Sequence, residues 1–258
     1  MRISWRSFCR LLTILLIGST ILAVKAWAAE IPVPALPSVT LNVGKAASPQ
    51  EASVTIQVLL LLTILSLAPA IALMTTCFTR ILVVLGFLKS AMGIQQLPPN
   101  QVIVALALFL TFFIMRPTWE QIYADAYKPL QEGRISTQQA YERGIRPLRE
   151  FMFRQTREKE LSLMVSLSGM KRPEKPEDVP TVVLMPAFLI SELKTAFQMG
   201  VVLFIPFLVI DMIVSSVLMA MGMIMLPPML VSLPFKVLLF VLADGWDLLV
   251  VGLVKSFQ

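Results

Sequence analysis

Residues 219–229 read MAMGMIMLPPM, a methionine-rich run closed by two adjacent prolines. From Val179 to residue 258 the chain is otherwise apolar, broken only by single charges. Two successive prolines cannot continue a helix, because each lacks an N–H and crowds the preceding turn. Leu226-Pro227-Pro228 therefore cuts this apolar stretch into two helical arms, with the methionines at the turn of a hairpin. Met212, Met219, Met221, Met223, Met225 and Met229, six of the fifteen methionines, crowd around it. The expected fold is all-α, made of membrane-inserted helical hairpins.

Composition sets the class. Of 258 residues 57% are hydrophobic and 15% charged, and mean hydropathy is +0.78, far above a soluble globular domain. The net charge of +6 is no nucleic-acid footprint, because Arg2, Arg6, Arg10 and Lys25 supply its excess in one terminal segment. No basic patch with interleaved aromatics is present, so no nucleic-acid partner is expected. With no histidine, a His-based metal site, a Ser-His-Asp triad and a histidine proton relay are excluded. Cys9 and Cys77 cannot build a disulfide framework. No G-x-x-x-x-G-K-[ST] loop exists, so nucleotide energy would have to come from other subunits; no cofactor and no enzymatic activity are expected.

The opening MRISWRSFCRLLTILLIGSTILAVKAWAAE has a basic start, an apolar core from Leu11 to Val24 and the A-x-A pair Ala26 and Ala28. It reads as a signal peptide over residues 1–28, cut after Ala28; an uncleaved anchor is the alternative, because Lys25 sits between core and site. Residues 29–50, with four prolines and no helical period, read as an extended linker. Ser48-Pro49-Gln50-Glu51 has the chemistry of a helix start, and the uncharged run from Ala52 to Thr79 is long enough to span hydrocarbon with a bend at Pro69. Pro98-Pro99-Asn100 starts a second long helix that ends near Arg116-Pro117, so residues 51–115 form one apolar block.

Residues 116–178 differ: they hold 22 of the 38 charged residues, twelve basic and ten acidic. This is a water-facing helical insertion. Thr118 and Ser136 each precede a Gln by three residues and are expected helix caps, while Pro129, Gly133 and Pro147 are expected to divide the segment. Arg143, Arg146, Arg149, Arg154 and Arg157 read as a solvated face interleaved with glutamates, or as a site for an acidic partner. The C-terminal hairpin occupies 179–258.

Single charges on apolar helices cost several kcal/mol in lipid, so they face protein or a watery cavity. Arg80, Lys89, Glu192, Lys194, Asp211, Lys236, Asp244 and Asp247 are such charges. Lys236 and Asp247 share a helical stripe but stand about 16 Å apart along it, and Asp244 is also beyond contact with Lys236. Partners on other helices or other chains are expected: all eight read as intersubunit charges, and Asp244 and Lys236 are expected to meet partners in neighbouring chains. Snorkelling to the interface is the alternative, stronger for Arg80 and Lys194 than for the short carboxylates.

MPAFLISELKTAFQMG at 185–200 and LPFKVLLFVLADGW at 233–246 together resemble signatures of the FliP family of type III secretion export gate proteins, the FliP/SpaP/YscR group. The resemblance covers residues 50–257, and ADGWDLL favours the flagellar branch. It implies a core subunit of the flagellar protein export gate in the bacterial inner membrane, needed for flagellum assembly. It also implies a homo-oligomer, a pentamer, closing into a helical ring with FliQ and FliR, alongside the export apparatus proteins FlhA and FlhB and unfolded flagellar substrates. Read as an extended segment, Met219, Met221, Met223 and Met225 point one way, and around a ring their unbranched side chains would make a deformable pore gasket. The family's methionine-rich gasket matches Met221, Met223 and Met225, with Ile224 departing from a pure methionine run. Methionine as filler of an irregular turn is the alternative. A small-solute or ion transporter, an intramembrane enzyme and a poreless scaffold are the rival functions; the first would show inverted repeats and paired intramembrane acids, and neither is present.

Overall fold

The structure is a computed structural model describing residues 49–93, 98–171, 173–223 and 225–257, with side chains from Ile56 onward. The segment expected to be a signal peptide, with Ala26 and Ala28, nearly all of the expected linker, and Ile224 lie outside these residues. Of the N-terminal unit, which ends at Gln57, only the first turns of a helix are described; Val58 onward forms a second compact unit. All regular elements among the described residues are helical.

Helix α1 spans Pro49–Met74, α2 Phe78–Met92 and α3 Asn100–Ile122. A π-turn at Tyr123–Tyr127 and the short α4, Lys128–Gln131, continue the line of α3. The insertion then folds as α5, Thr137–Gln155, and α6, Glu158–Leu167. The hairpin is α7, Thr181–Ala220, returning through α8, Pro228–Leu242, and α9, Gly245–Lys255. At 1.5 Å per residue α7 is about 60 Å long, twice the ~30 Å of a bilayer core. It is the spine of the unit, packing against α2, α5, α6 and α8.

The sequence period of α2 explains the core. Ile81, Val84, Leu85, Leu88 and Met92 recur three or four residues apart, share one face, and are all buried. They meet Ala107 and Met115 of α3, Phe151 and Met152 of α5, Leu184, Phe188 and Ala196 of α7, and Leu253 of α9. Gly200 admits the Phe87 ring so closely that a Cβ there would stand 2.4 Å from its Cδ2. Phe87 in turn lies edge-on to Phe197 and Phe204, with centroids 5.1 and 6.0 Å away.

Several boundaries differ from those the sequence suggests. The first helix runs through Pro69 and stops at Met74, where a turn at Thr75–Cys77 separates it from α2. Pro117 does not end α3, and Thr118, expected as a cap, is buried inside it. Pro147 likewise lies within α5 rather than dividing the insertion. An interior proline costs about 3 kcal/mol of helix stability. Burial of Met115 and Thr118 beside one proline, and of Phe151 and Met152 beside the other, offsets it. Ser136 caps α5 as expected: its Oγ accepts from the Gln139 N–H, and the Gln139 side chain accepts from the Ser136 N–H. Gly133, at φ 68°, makes the turn before it.

Three stretches, Ile56–Met74, Asn100–Gln131 and Thr181–Ala220, are long and apolar enough to cross a membrane. The α8–α9 pair would make a fourth, bent by 64°. Among the described residues none of the first stretch is fully buried: Leu59, Leu60, Leu61, Ile64 and Leu65 are all open.

Candidate functional site

The hairpin turn is built by glycine. Met219 and Ala220 still belong to α7; Gly222 then adopts φ 76°, the Met223 N–H donates to Leu218 O at 2.9 Å, and the Gly222 N–H donates to Met219 O at 3.0 Å. This is a Schellman ending, which places a left-handed residue just past the helix. The four alternating methionines are therefore not one extended row in this chain. The left-handed turn at Gly222 breaks the period of two on which a common direction depends. Met219, Met221 and Met225 are exposed, Met225 almost completely at 99%. Met221 and Met223 border an apolar cleft of about 510 Å³ between the arms, with Ile213, Val217, Val231 and Phe235.

Below the turn the arms are tied by charge. Lys236 Nζ on α8 donates to Asp211 Oδ2 on α7 at 2.7 Å, and Asp211 Oδ1 accepts from Ser232 Oγ at 2.5 Å. Lys236 Nζ also donates to Ala91 O at 3.1 Å, in the last turn of α2. There it satisfies a carbonyl without a helical partner at the negative end of that helix. The expectation that Lys236 must look to another chain gives way to this pair. Spacing along one arm excluded Asp244 and Asp247, but the partner stands on the opposite arm.

Arg80 closes a second cluster. Its side chain is 2% exposed, and its five N–H donors form a rigid fork. Nε donates to Glu192 Oε2 at 3.1 Å, Nη2 to Glu192 Oε1 and to Gln155 Oε1, and Nη1 to the Ser256 carbonyl and hydroxyl at 2.8 and 3.0 Å. The guanidinium also stacks 3.8 Å from the Phe257 ring centroid. Neither Arg80 nor Glu192 snorkels; each is the other's counter-ion in the core, as burial of charge requires.

The insertion is pinned to α7 by a third set. Lys194, half exposed, pairs with the buried Glu160 of α6, and its ammonium holds that carboxyl below the usual carboxylate range. The Arg157 N–H donates to Ser191 Oγ, and its guanidinium donates to Thr195 and Gln198. Arg149 donates to Thr181 Oγ1 and Val179 O. Of the arginine row, Arg149 and Arg157 are thus structural ties, while Arg146 keeps the expected solvated pairing with Glu150.

Lys89 donates to Asn100 Oδ1 at 2.8 Å and bridges α2 to α3. Asp244 and Asp247 are exposed, and among the described residues no ion pair reaches them. Asp244 has a role that spacing did not reveal. At φ 48° it is the one non-glycine residue with positive φ among those described, and it bends α8 from α9. The signal was the dipeptide Asp244-Gly245: Asp tolerates the left-handed region, and a Cβ on residue 245 would collide with Phe240 at 2.3 Å.

These features define a helical membrane protein: a long hairpin with internally closed charges, an exposed methionine turn, and apolar faces left open. Comparison with known proteins specifies the class. The FliP family matches over residues 61–253. The flagellar biosynthetic protein FliP of Bacillus subtilis (strain 168) is 52% identical over 217 residues, covering 84% of this chain and 98% of that protein. Its counterpart from Pectobacterium carotovorum subsp. carotovorum is 53% identical over 208 residues, covering 81% of each. That from Treponema pallidum (strain Nichols) is 48% identical over 231 residues, covering 89% of this chain and 85% of that protein. The chain belongs to the FliP family, as the motifs at 185–200 and 233–246 led us to expect.

Proposed function

We propose that this chain is a core, non-enzymatic subunit of the flagellar type III protein export gate in the bacterial inner membrane. Several copies, a pentamer by family resemblance, close into a ring with FliQ and FliR. The ring works with FlhA and FlhB to pass unfolded flagellar substrates. Met221, Met223 and Met225, flanked by Met219 and Ile224, form its deformable seal.

One observation carries the reading: charges are closed within the chain while apolar faces are left open. Arg80, Lys236 and Lys194 each have their counter-ion in the same chain, yet α1 and the outer faces of α7 and α8 remain uncovered. Phe197, Val201, Val202, Ile205, Met212 and Ile213 on α7 are all open. In lipid these faces are already out of water, so like helices laid side by side are held by close packing and interhelical hydrogen bonds rather than by transfer from water. In such a ring the methionine turns, at one end of every hairpin, are brought together. A flexible thioether side chain packs against its neighbours and still yields to a passing polypeptide.

Co-expression with FliQ and FliR, followed by mass measurement and imaging of the purified particle, tests the assembly. A closed ring of several copies with the methionine turns converging is the expected result. A particle holding one copy, or a ring whose turns face lipid, contradicts it.

A further inference from the structure

We propose that Arg80 is a positioning residue for the hairpin: by holding Ser256 and Phe257, it keeps the second arm bent at Asp244-Gly245 and so fixes how the methionine turn is presented. The inference rests on the gate reading above for its consequence, but its geometry stands by itself. Polar contacts hold the second arm at two points. Within α8, Lys236 is bonded to Asp211 and to Ala91 O. Beyond α9, Ser256 is bonded twice by Arg80 Nη1, the Phe257 ring is covered by the guanidinium, and Gln155 Nε2 donates to Phe257 O at 3.2 Å. Phe151 stacks on the same ring, centroids 6.4 Å apart.

Between the two holds lies the left-handed residue Asp244, with a 64° bend. A non-glycine residue in that region is a strained choice that persists when its surroundings determine it. On the inner face Leu249 and Leu253 are buried in the core, whereas Val251, Leu248, Val241 and Leu242 are exposed, so Arg80 and this apolar contact together oppose straightening. Phe240 packs edge-on to Trp246 across the bend, 5.4 Å between centroids, and fits only because residue 245 lacks a Cβ. Arg80 is suited to this hold because one rigid fork engages Glu192 of α7, Gln155 of α5 and Ser256 at once. A lysine, with a single ammonium, cannot span all three.

The bend is read by electron-spin distance measurement on the full chain, with spin labels on Leu230→Cys and Val251→Cys in a Cys9→Ser, Cys77→Ala background. Labelled copies are diluted with unlabelled ones. The two Cα positions are about 27 Å apart with a 64° bend and about 31 Å apart in a straight helix. Arg80→Met paired with Glu192→Leu removes the hold without stranding a buried charge, and should lengthen the distance by about 4 Å. Phe257→Ala, which leaves the Arg80–Glu192 pair intact, should shift the distribution the same way. Unchanged distances in a folded double variant overturn the proposal. If the double variant fails to fold, an unchanged distance in Phe257→Ala overturns it. Ion conductance of the same variants separates the two readings: a straightened arm in an ion-tight membrane supports the clamp and counts against the gate, whereas a leak at unchanged distance counts against the clamp alone.

Discussion

Lys236 and Asp211 face each other across the hairpin, 2.7 Å apart, on arms separated by 25 residues of sequence. The ammonium is nearly buried, and the carboxylate keeps about a third of its surface in contact with solvent. Removing a partner from a fully buried pair costs 3–5 kcal/mol; here solvent relieves the carboxylate left behind. Lys236→Ala should therefore destabilise the hairpin by about 2 kcal/mol, measured by denaturant unfolding in detergent. Adding Asp211→Ala should recover part of the loss. Fully additive effects would mean the two side chains do not interact.

Gly200 should reject a methyl group. Its Cβ would press on a Phe87 ring already held by Phe197 and Phe204, and overpacking of this kind costs about 1–3 kcal/mol. Gly252, with nothing within 4 Å, should accept alanine and gain up to about 1 kcal/mol of helix propensity. Thermal unfolding of Gly200→Ala and Gly252→Ala side by side checks the contrast. Equal midpoints would contradict the packing.

The helix cap at Ser136 predicts a smaller effect. Ser136→Ala deletes the acceptor for the Gln139 N–H and should cost about 1 kcal/mol, felt in the first turn of α5. Faster amide exchange at Gln139 and Ala140, with the core unchanged, is the expected outcome.

The docking of α6 on α7 should be insensitive to mild acid. Glu160 titrates lower in the folded chain than in the unfolded one, because Lys194 donates to its carboxylate. The unfolded chain therefore takes up the proton first. The contact stabilises the fold fully above the ordinary carboxylate pKa of about 4.3 and loses that contribution as pH falls through the lower folded value. Amide protection in α6 should hold between pH 7 and 5 and fall only in stronger acid, and Glu160→Gln should remove that acid step. A loss of protection between pH 7 and 5 would contradict the pairing.

What the sequence could reveal depended on whether the cause was local. Pro227-Pro228 and Ser136–Gln139 act within a turn, so the hairpin and the α5 start were legible from the residues alone. The need of Arg80, Glu192 and Lys236 for partners was legible too, since burial of charge is costly wherever it occurs. Their partners were not. Arg80 and Glu192 are 112 residues apart, and nothing in either helix encodes the other's position. Pro117 and Pro147 misled for the same reason: neighbours distant in sequence bury the faces around them and outweigh a local breaker. The methionines do not form one extended row because Gly222 permits the very reversal that ends the alternating pattern.

The central claim is that the methionine turns seal a pore, and ion conductance of Met221→Ala/Met223→Ala/Met225→Ala tests it most directly. The three side chains lie beyond the Lys236–Asp211 tie, so assembly should survive their shortening, with particle yield as the control. A constriction stripped of its apolar filling hydrates, so the membrane should leak small ions. The leucine triple should stay tight but export more slowly, because branched side chains repack less readily. A triple-alanine particle that assembles normally, holds ions and still secretes would contradict the account.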